Sequence, residues 1–343
     1  MRIGVVIPAF NAAKWIADAI ASVLAQTHRD WVLVVVDDGS TDETAEVVAG
    51  FADPRIQLIR QTNAGVSAAR NAGMALTGCA PSPTLPRCAG EGAQALNALS
   101  RAAREGRGGG AALLFLDADD WLAPDALTRL AATLKAAPHA VAAAGRCSFA
   151  GTGAALVPPS GDILERLLVR NLFANGGHLL LRSEAVRAAG RFVPGIAYGE
   201  DWEFWIRIAL QGPFAAVHGA PVLFVRRHAC GAYRRLASDP AAFAPCMDAI
   251  FGNPVLYARF GAAKLEEISR HTEAESQWII GRELIRHGKG AEGRAWLRRS
   301  VRASPSAMRA ALLAAAHVLP LLPHGLRGPF RSYRMPQPAT RNR

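Results

Sequence analysis

After Glu292 the 343-residue sequence contains neither aspartate nor glutamate, while ten arginines follow. That absence concentrates much of the formal net charge of +11 in the C-terminal part. Two readings of this basic end stay open: a solvated tail, or contact with an anionic membrane surface or polyanion. No recognised nucleic-acid-binding fold accompanies the charge, which argues against nucleic acid as a partner. Cysteine is scarce as well. Cys79, Cys88, Cys147, Cys230 and Cys246 are odd in number, irregularly spaced and without a CxxC pair, so they predict free thiols in a reducing compartment and no disulfide framework. A long apolar run is also missing. The stretch Ala310 to Pro323 is 14 residues, broken by Pro320, and a bilayer-spanning helix needs ~20. Flanked by Arg309, Arg327, Arg331 and Arg334, it reads either as a segment lying in the membrane interface or as a core helix. The opening run Ile3 to Pro8 is too short for the apolar region of a signal peptide, and no small-residue cleavage site follows. The expected location is cytoplasmic, extending to the inner face of the membrane.

What is present is the composition of a folded protein, with half of the residues hydrophobic and a fifth charged. The length suits one large α/β domain, placed at 1–235, and a smaller appendage at 236–343. Apolar runs at 3–7, 31–36 and 56–59 alternate with helical patterns at 13–25 and 42–51, which predicts a mainly parallel sheet with helices on both faces. Residues 79–110, rich in Pro, Gly, Ala and Arg, break this rhythm and read as a disordered surface insertion. Beyond Pro240 the pattern is helical. Residues 273–286, a Gly288-Lys289-Gly290 turn and residues 292–303 predict an antiparallel helix pair of the tetratricopeptide kind.

Two acidic clusters follow apolar strands directly, at the strand ends where open α/β sheets bind ligands. In Val34-Val35-Val36-Asp37-Asp38-Gly39-Ser40-Thr41-Asp42, turn chemistry with a helix N-cap at Ser40 or Thr41 explains the later residues but not two acids at the strand end. A carboxylate there can accept the N3 hydrogen of uracil. In Phe115-Leu116-Asp117-Ala118-Asp119-Asp120, three carboxylates within four residues repel one another unless a cation neutralises them. Oxygen-only ligands suit Mg²⁺ or Mn²⁺, which typically bind together with substrate phosphates. Trp121, Trp202 and Trp205 lie beside the acids and fit either sugar stacking or core packing.

With Val5 to Asn11, Asn63 to Asn71 and Gly199-Glu200-Asp201, these motifs follow one another in an order that resembles the inverting family 2 glycosyltransferases of GT-A fold. The resemblance covers residue 3 to about residue 235 apart from the insertion. It implies transfer of a sugar from a nucleotide-diphosphate sugar, a UDP-sugar, to a saccharide or lipid-linked acceptor in cell-envelope polysaccharide or glycoconjugate synthesis. Pro8, Ala9 and Asp38 would meet the base, and Arg70 the donor diphosphate. Asp117 and Asp119 would contact the sugar nucleotide, and Asp119 and Asp120 the metal. His228, in a late Arg-x-His element, would reach metal or diphosphate, and Asp201 would be the general base. Inversion needs such a base on the acceptor hydroxyl while the metal stabilises the leaving diphosphate. A nucleotidyltransferase is the rival enzyme class; it would carry a Gly-rich, basic loop after the first strand, where Pro8-Ala9-Phe10-Asn11 stands instead. A non-catalytic sugar-nucleotide-binding or membrane scaffold is the rival outside enzymes, and the intact acids argue against it.

Overall fold

In the computed structural model, residues 1–77, 112–150, 154–226 and 239–318 are described. Cys79, Cys88, Cys230, His228, the whole 79–110 insertion and the chain after 318 lie outside them. The described residues form two compact units. Those within Met1–Leu167, Asn171–His228 and Pro245–Ile250 make the first; those within Leu168–Arg170, Ala229–Ala244 and Phe251–Arg343 make the second.

The first unit opens with β1 (Ile3–Ala9), helix α1 (Ile16–Leu24), β2 (Trp31–Asp37), α2 (Thr44–Ala49), β3 (Ile56–Arg60), α3 (Val66–Leu76) and β4 (Ala112–Phe115). The uninterrupted apolar runs of β1, β2 and β4 are buried along their whole length, as central parallel strands covered on both faces must be. After the acidic turn come β5 (Trp121–Leu122), α4 (Ala126–Ala136), β6 (Ala142–Ala144), β7 (Cys147–Phe149) and β8 (Ala155–Leu156). They are followed by β9 (Leu179–Arg182), α5 (Ser183–Ala189), α6 (Glu200–Ala209), β10 (Phe214–Ala216) and β11 (Leu223–Val225).

Seven strands make the main sheet in the order β10-β6-β9-β4-β1-β2-β3, and β5-β11-β7-β8 form a second sheet. The main sheet is parallel except around β9, which runs antiparallel to both β4 and β6. Strands β1, β2 and β4 are in step: Ile3 pairs with Trp31 and with Ala112, and Ala9 pairs with Asp37. Residues that follow β2 and β4 therefore emerge at the same end of the sheet, on either side of β1.

An aromatic cluster ties the end of β4 to α6 and to the chain just before it. Phe115, the last residue of β4, meets Phe204 edge-on at 6.2 Å and Phe192 edge-on at 5.1 Å, while Trp205 lies at 6.3 Å. All four rings are fully buried, and truncating one such ring typically costs about 3–5 kcal/mol. Helix α6 is pinned further by Trp202, whose indole N–H donates to the Leu167 carbonyl. Trp202 and Trp205 are thus core residues, 4% and 1% exposed.

The second unit is helical. Helices α7 (Ala262–Arg286), α8 (Gly290–Ala303) and α9 (Ala307–Val318) pack around Trp278, Leu297 and Ala316. Crossing of the first two is close at Gly281 and Gly293: a Cβ on Gly293 would stand 2.6 Å from the Gly281 carbonyl oxygen. The expected helix pair begins earlier than 273 and gains a third helix, which takes up the first half of the apolar stretch at 310–323. Among the described residues, no helix is long and apolar enough to cross a membrane.

Candidate active site

Pro8 and Ala9 end β1 and are buried. Beside them, Asp37 and Asp38 are 0% and 3% exposed and have different tasks. Asp37 accepts the Ser40 amide hydrogen and pairs with Arg60 at 3.1 Å. Asp38 receives the Ala64 and Gly65 amides at 2.9 Å each and the Gln61 side-chain amide at 2.7 Å, so it fixes the loop that enters α3. Gly39 makes the turn possible, with φ +75° and no room for a Cβ against the Asn63 nitrogen.

Helix α2 begins only at Thr44, and the expected cap at Ser40 or Thr41 is not what these side chains do. Ser40 Oγ accepts the Asn11 amide, and Asp42 Oδ2 accepts that of Ala13. Asn11, the one non-glycine residue with positive φ among those described, accepts the Thr41 amide. The polar run stitches the loop after β2 to the loop after β1.

The second cluster turns directly out of β4. One carboxylate oxygen from each of Asp117, Asp119 and Asp120 lies within 4.8 Å of the others. Burial, with Asp117 and Asp119 adding to it, pushes the Asp120 carboxyl up to about 8. Asp117 is pushed upward by its protein surroundings and by Asp119, against the pull of Arg70. Crowded oxygens whose charge the protein only partly compensates are the donor set expected for a hard divalent cation. Asp117, Asp119 and Asp120 therefore fit Mg²⁺ or Mn²⁺.

Arg70, expected from the resemblance near the donor diphosphate, is 4% exposed, and its η nitrogens contact Glu200 at 2.8 Å and Asp117 at 3.1 Å. Burial opposes its charge, but Asp117, Glu200 and Asp201 outweigh that and hold it firmly protonated. Asp201 lies in the first turn of α6 and accepts the Trp202 amide. Burial first, then Glu200, raise its carboxyl to about 7. A carboxyl poised there can take a proton near neutral pH. Cys246 donates to the Gly199 carbonyl at the start of the same helix.

Trp121 stacks on Phe224 at 5.6 Å and lies under the Arg226 guanidinium at 4.9 Å. Two residues escape the sequence reading: Asn175, whose amide reaches Asp120, and Arg226, which holds both Asp119 and Asp120. Their signals are weak, an Asn-Gly turn dipeptide for the first and membership of the late Arg-x-His element for the second. His228 lies outside the described residues.

Comparison with known proteins bears on the family and the fold. The family model for glycosyl transferase family 2 matches residues 4–78 and 90–179, passing over 79–89. An uncharacterised glycosyltransferase of Rickettsia conorii is 43% identical over 74 residues, which is 21% of this chain and 12% of that protein. The UDP-Glc:alpha-D-GlcNAc-diphosphoundecaprenol beta-1,3-glucosyltransferase WfgD of Escherichia coli is 41% identical over 70 residues, 20% of this chain and 28% of that protein. These alignments span less than a third of the relatives' own length. In structure, the chain resembles Staphylococcus aureus TarS 1–349 in complex with UDP-GlcNAc, with a TM-score of 0.56 and 16% identity over 93% of this chain and 87% of that one. The Pyrobaculum calidifontis mannosyltransferase PcManGT, in complex with GDP-Man and Mn²⁺, gives a TM-score of 0.53 and 21% identity over 96% and 82%. The chain belongs to glycosyl transferase family 2 and has a GT-A fold, a mixed α/β domain followed by a helical region.

Proposed function

We propose that the protein transfers a sugar from a nucleotide-diphosphate sugar, a UDP-sugar, to an acceptor hydroxyl with inversion at the anomeric carbon. The observation that carries this reading is the linkage of the three-acid turn to the Glu200-Asp201 pair through Arg70. Asp119 and Asp120 hold Mg²⁺ or Mn²⁺, with Asp117 in support; when bound, the cation neutralises charge on the leaving diphosphate. Pro8, Ala9 and Asp38 face the base. The role we assign to Arg70 is orientation of Asp117 and Glu200, because its two η nitrogens pair with one of these carboxylates each. Asp201 takes the acceptor proton as the new glycosidic bond forms. The nucleotide sugars in the TarS and PcManGT complexes support a nucleotide-sugar donor, and Mn²⁺ in the latter supports the cation. The name of WfgD supports an acceptor carried on a lipid diphosphate; our proposal sets the reaction in cell-envelope glycan synthesis at the cytoplasmic face of the membrane.

The test is sugar transfer or donor hydrolysis from a panel of UDP-sugars with Mn²⁺, wild type against Asp201→Asn. Turnover by the wild type and loss of about 10²-fold or more in the variant are expected. No turnover with any nucleotide sugar would overturn the reading.

A further inference from the structure

The acidic turn is held from outside by two residues to which nothing above assigns a role in the reaction. Asn175 donates its Nδ2 hydrogen to Asp120 Oδ2 at 2.5 Å. Its own Oδ1 accepts the Gly177 amide at 2.8 Å, which fixes the side-chain amide's orientation and leaves Nδ2 for Asp120. The other oxygen of Asp120 accepts the backbone N–H of Arg226 at 2.8 Å. Arg226 then reaches past Asp120: its Nε donates to the Asp119 carbonyl at 3.0 Å and its Nη2 to Asp18 at 2.6 Å. Its guanidinium lies over the rings of Trp15 at 4.6 Å and Trp121 at 4.9 Å.

Strand pairing explains the placement. Antiparallel register sets Leu223 opposite Leu122 and Phe224 opposite Trp121; continued by two residues, it brings position 226 to position 119. The two-residue strand β5 is therefore what brings the end of β11 onto the acidic turn. Arginine suits this position because a planar fork can serve two acceptors while lying against indole faces, whereas an ammonium cannot.

We propose that Arg226 and Asn175 are positioning residues that preset Asp119 and Asp120 for a divalent cation. Resting on the reading of these acids as cation ligands, the assignment has a simple physical basis. Three crowded carboxylates repel one another, and a turn fixed before the cation arrives need not be ordered on binding.

The test is titration of the full chain with Mn²⁺ in the absence of donor, reading free Mn²⁺ by electron paramagnetic resonance. Wild type, Arg226→Lys and Asn175→Ala are compared, and melting is followed for each in EDTA. Both variants are expected to fold, and each to bind Mn²⁺ about 10-fold or more weakly. The Mn²⁺ concentration for half-maximal turnover should rise in proportion, with kcat largely recovered at saturating Mn²⁺. An affinity within about twofold of wild type overturns the proposal. So does an unfolded variant, which would make that residue a support of the fold. A wild type that takes up no Mn²⁺ sinks the cation reading together with this one, whereas unchanged variants of a binding wild type sink this one alone.

Discussion

Nη1 of Arg70 stands 2.8 Å from Oε1 of Glu200, joining residues 130 positions apart inside the wall of the site. The same guanidinium meets Asp117, so one buried cation serves two carboxylates. Removing one partner of such a group leaves uncompensated charge, which costs about 3–5 kcal/mol. Arg70→Leu is therefore expected to lower the urea midpoint strongly at neutral pH. Glu200→Gln keeps an oxygen acceptor and removes only charge, with an expected cost of about 1–2 kcal/mol. Equal losses in the two variants would show that the network does not hold this edge.

The carboxyl of Asp201, raised to about 7 by burial and Glu200, gives a second test. The folded chain retains this proton to higher pH than the unfolded one, so stability falls as pH rises from about 4 to about 7. Asp201→Asn removes the penalty. In EDTA, the variant should gain on the wild type in urea midpoint as pH rises through that window. For the reaction, the base must be ionised, so kcat/KM should climb with pH on the acid side and level off. Its midpoint should fall below 7 with metal bound, because added positive charge favours the carboxylate. A flat profile through this range would remove Asp201 as the base.

Much of this edge is legible in the sequence, for reasons specific to each part. Strands β2 and β4 are continuous apolar runs because both faces are covered, and the acids follow them where the chain leaves the sheet. Direction is a different matter: nothing local to Leu179, Leu180 and Leu181 tells that β9 runs antiparallel inside a mainly parallel sheet. Ser40 carries the right atom for a helix cap, yet accepts an amide 29 residues earlier, while Asp42 does both, accepting the Thr44 amide at the start of α2 and the Ala13 amide in that earlier loop. A side-chain oxygen accepts from whichever amide packing brings near. Asn175 and Arg226 were hidden for the same reason, since their carboxylate lies 55 and 106 residues away.

His178 supplies a pH dependence of opposite sign. It is 0% exposed; its Nδ1 lies 2.8 Å from the Gly145 carbonyl, and its Nε2 faces the Ala174 amide. That pairing fits the neutral ring with the proton on Nδ1, and burial lowers the imidazole to about 4. Between about 6.5 and 4 the unfolded chain binds a proton that the folded chain refuses. Stability is thus lost as pH falls through this window, by about 3 kcal/mol. Urea midpoints measured across it for wild type and His178→Gln test this. The variant should lose less on acidification, and parallel profiles would refute the assignment.

Cation binding should be visible in stability before any chemistry is measured. Asp120 is pushed up to about 8 by burial and by its two acidic neighbours, so the site is strained in its charge when empty of positive partners. A cation that binds only the folded chain stabilises it by about 2.7 kcal/mol at 100 times its dissociation constant. Mn²⁺ is therefore expected to raise the melting temperature, and EDTA to reverse the gain. Asp120→Asn separates two consequences of the same crowding. Its apo form should melt close to the wild-type temperature near neutral pH, because one acid leaves the crowd while the new amide nitrogen faces the Asn175 Nδ2 donor that Oδ2 accepts, the Arg226 amide keeping an oxygen. Its Mn²⁺-dependent gain should shrink to near zero. A variant that melts lower in EDTA yet keeps the full Mn²⁺ shift would mean that Asp120 braces the turn without binding the cation, and would leave Asp117 and Asp119 as the ligands.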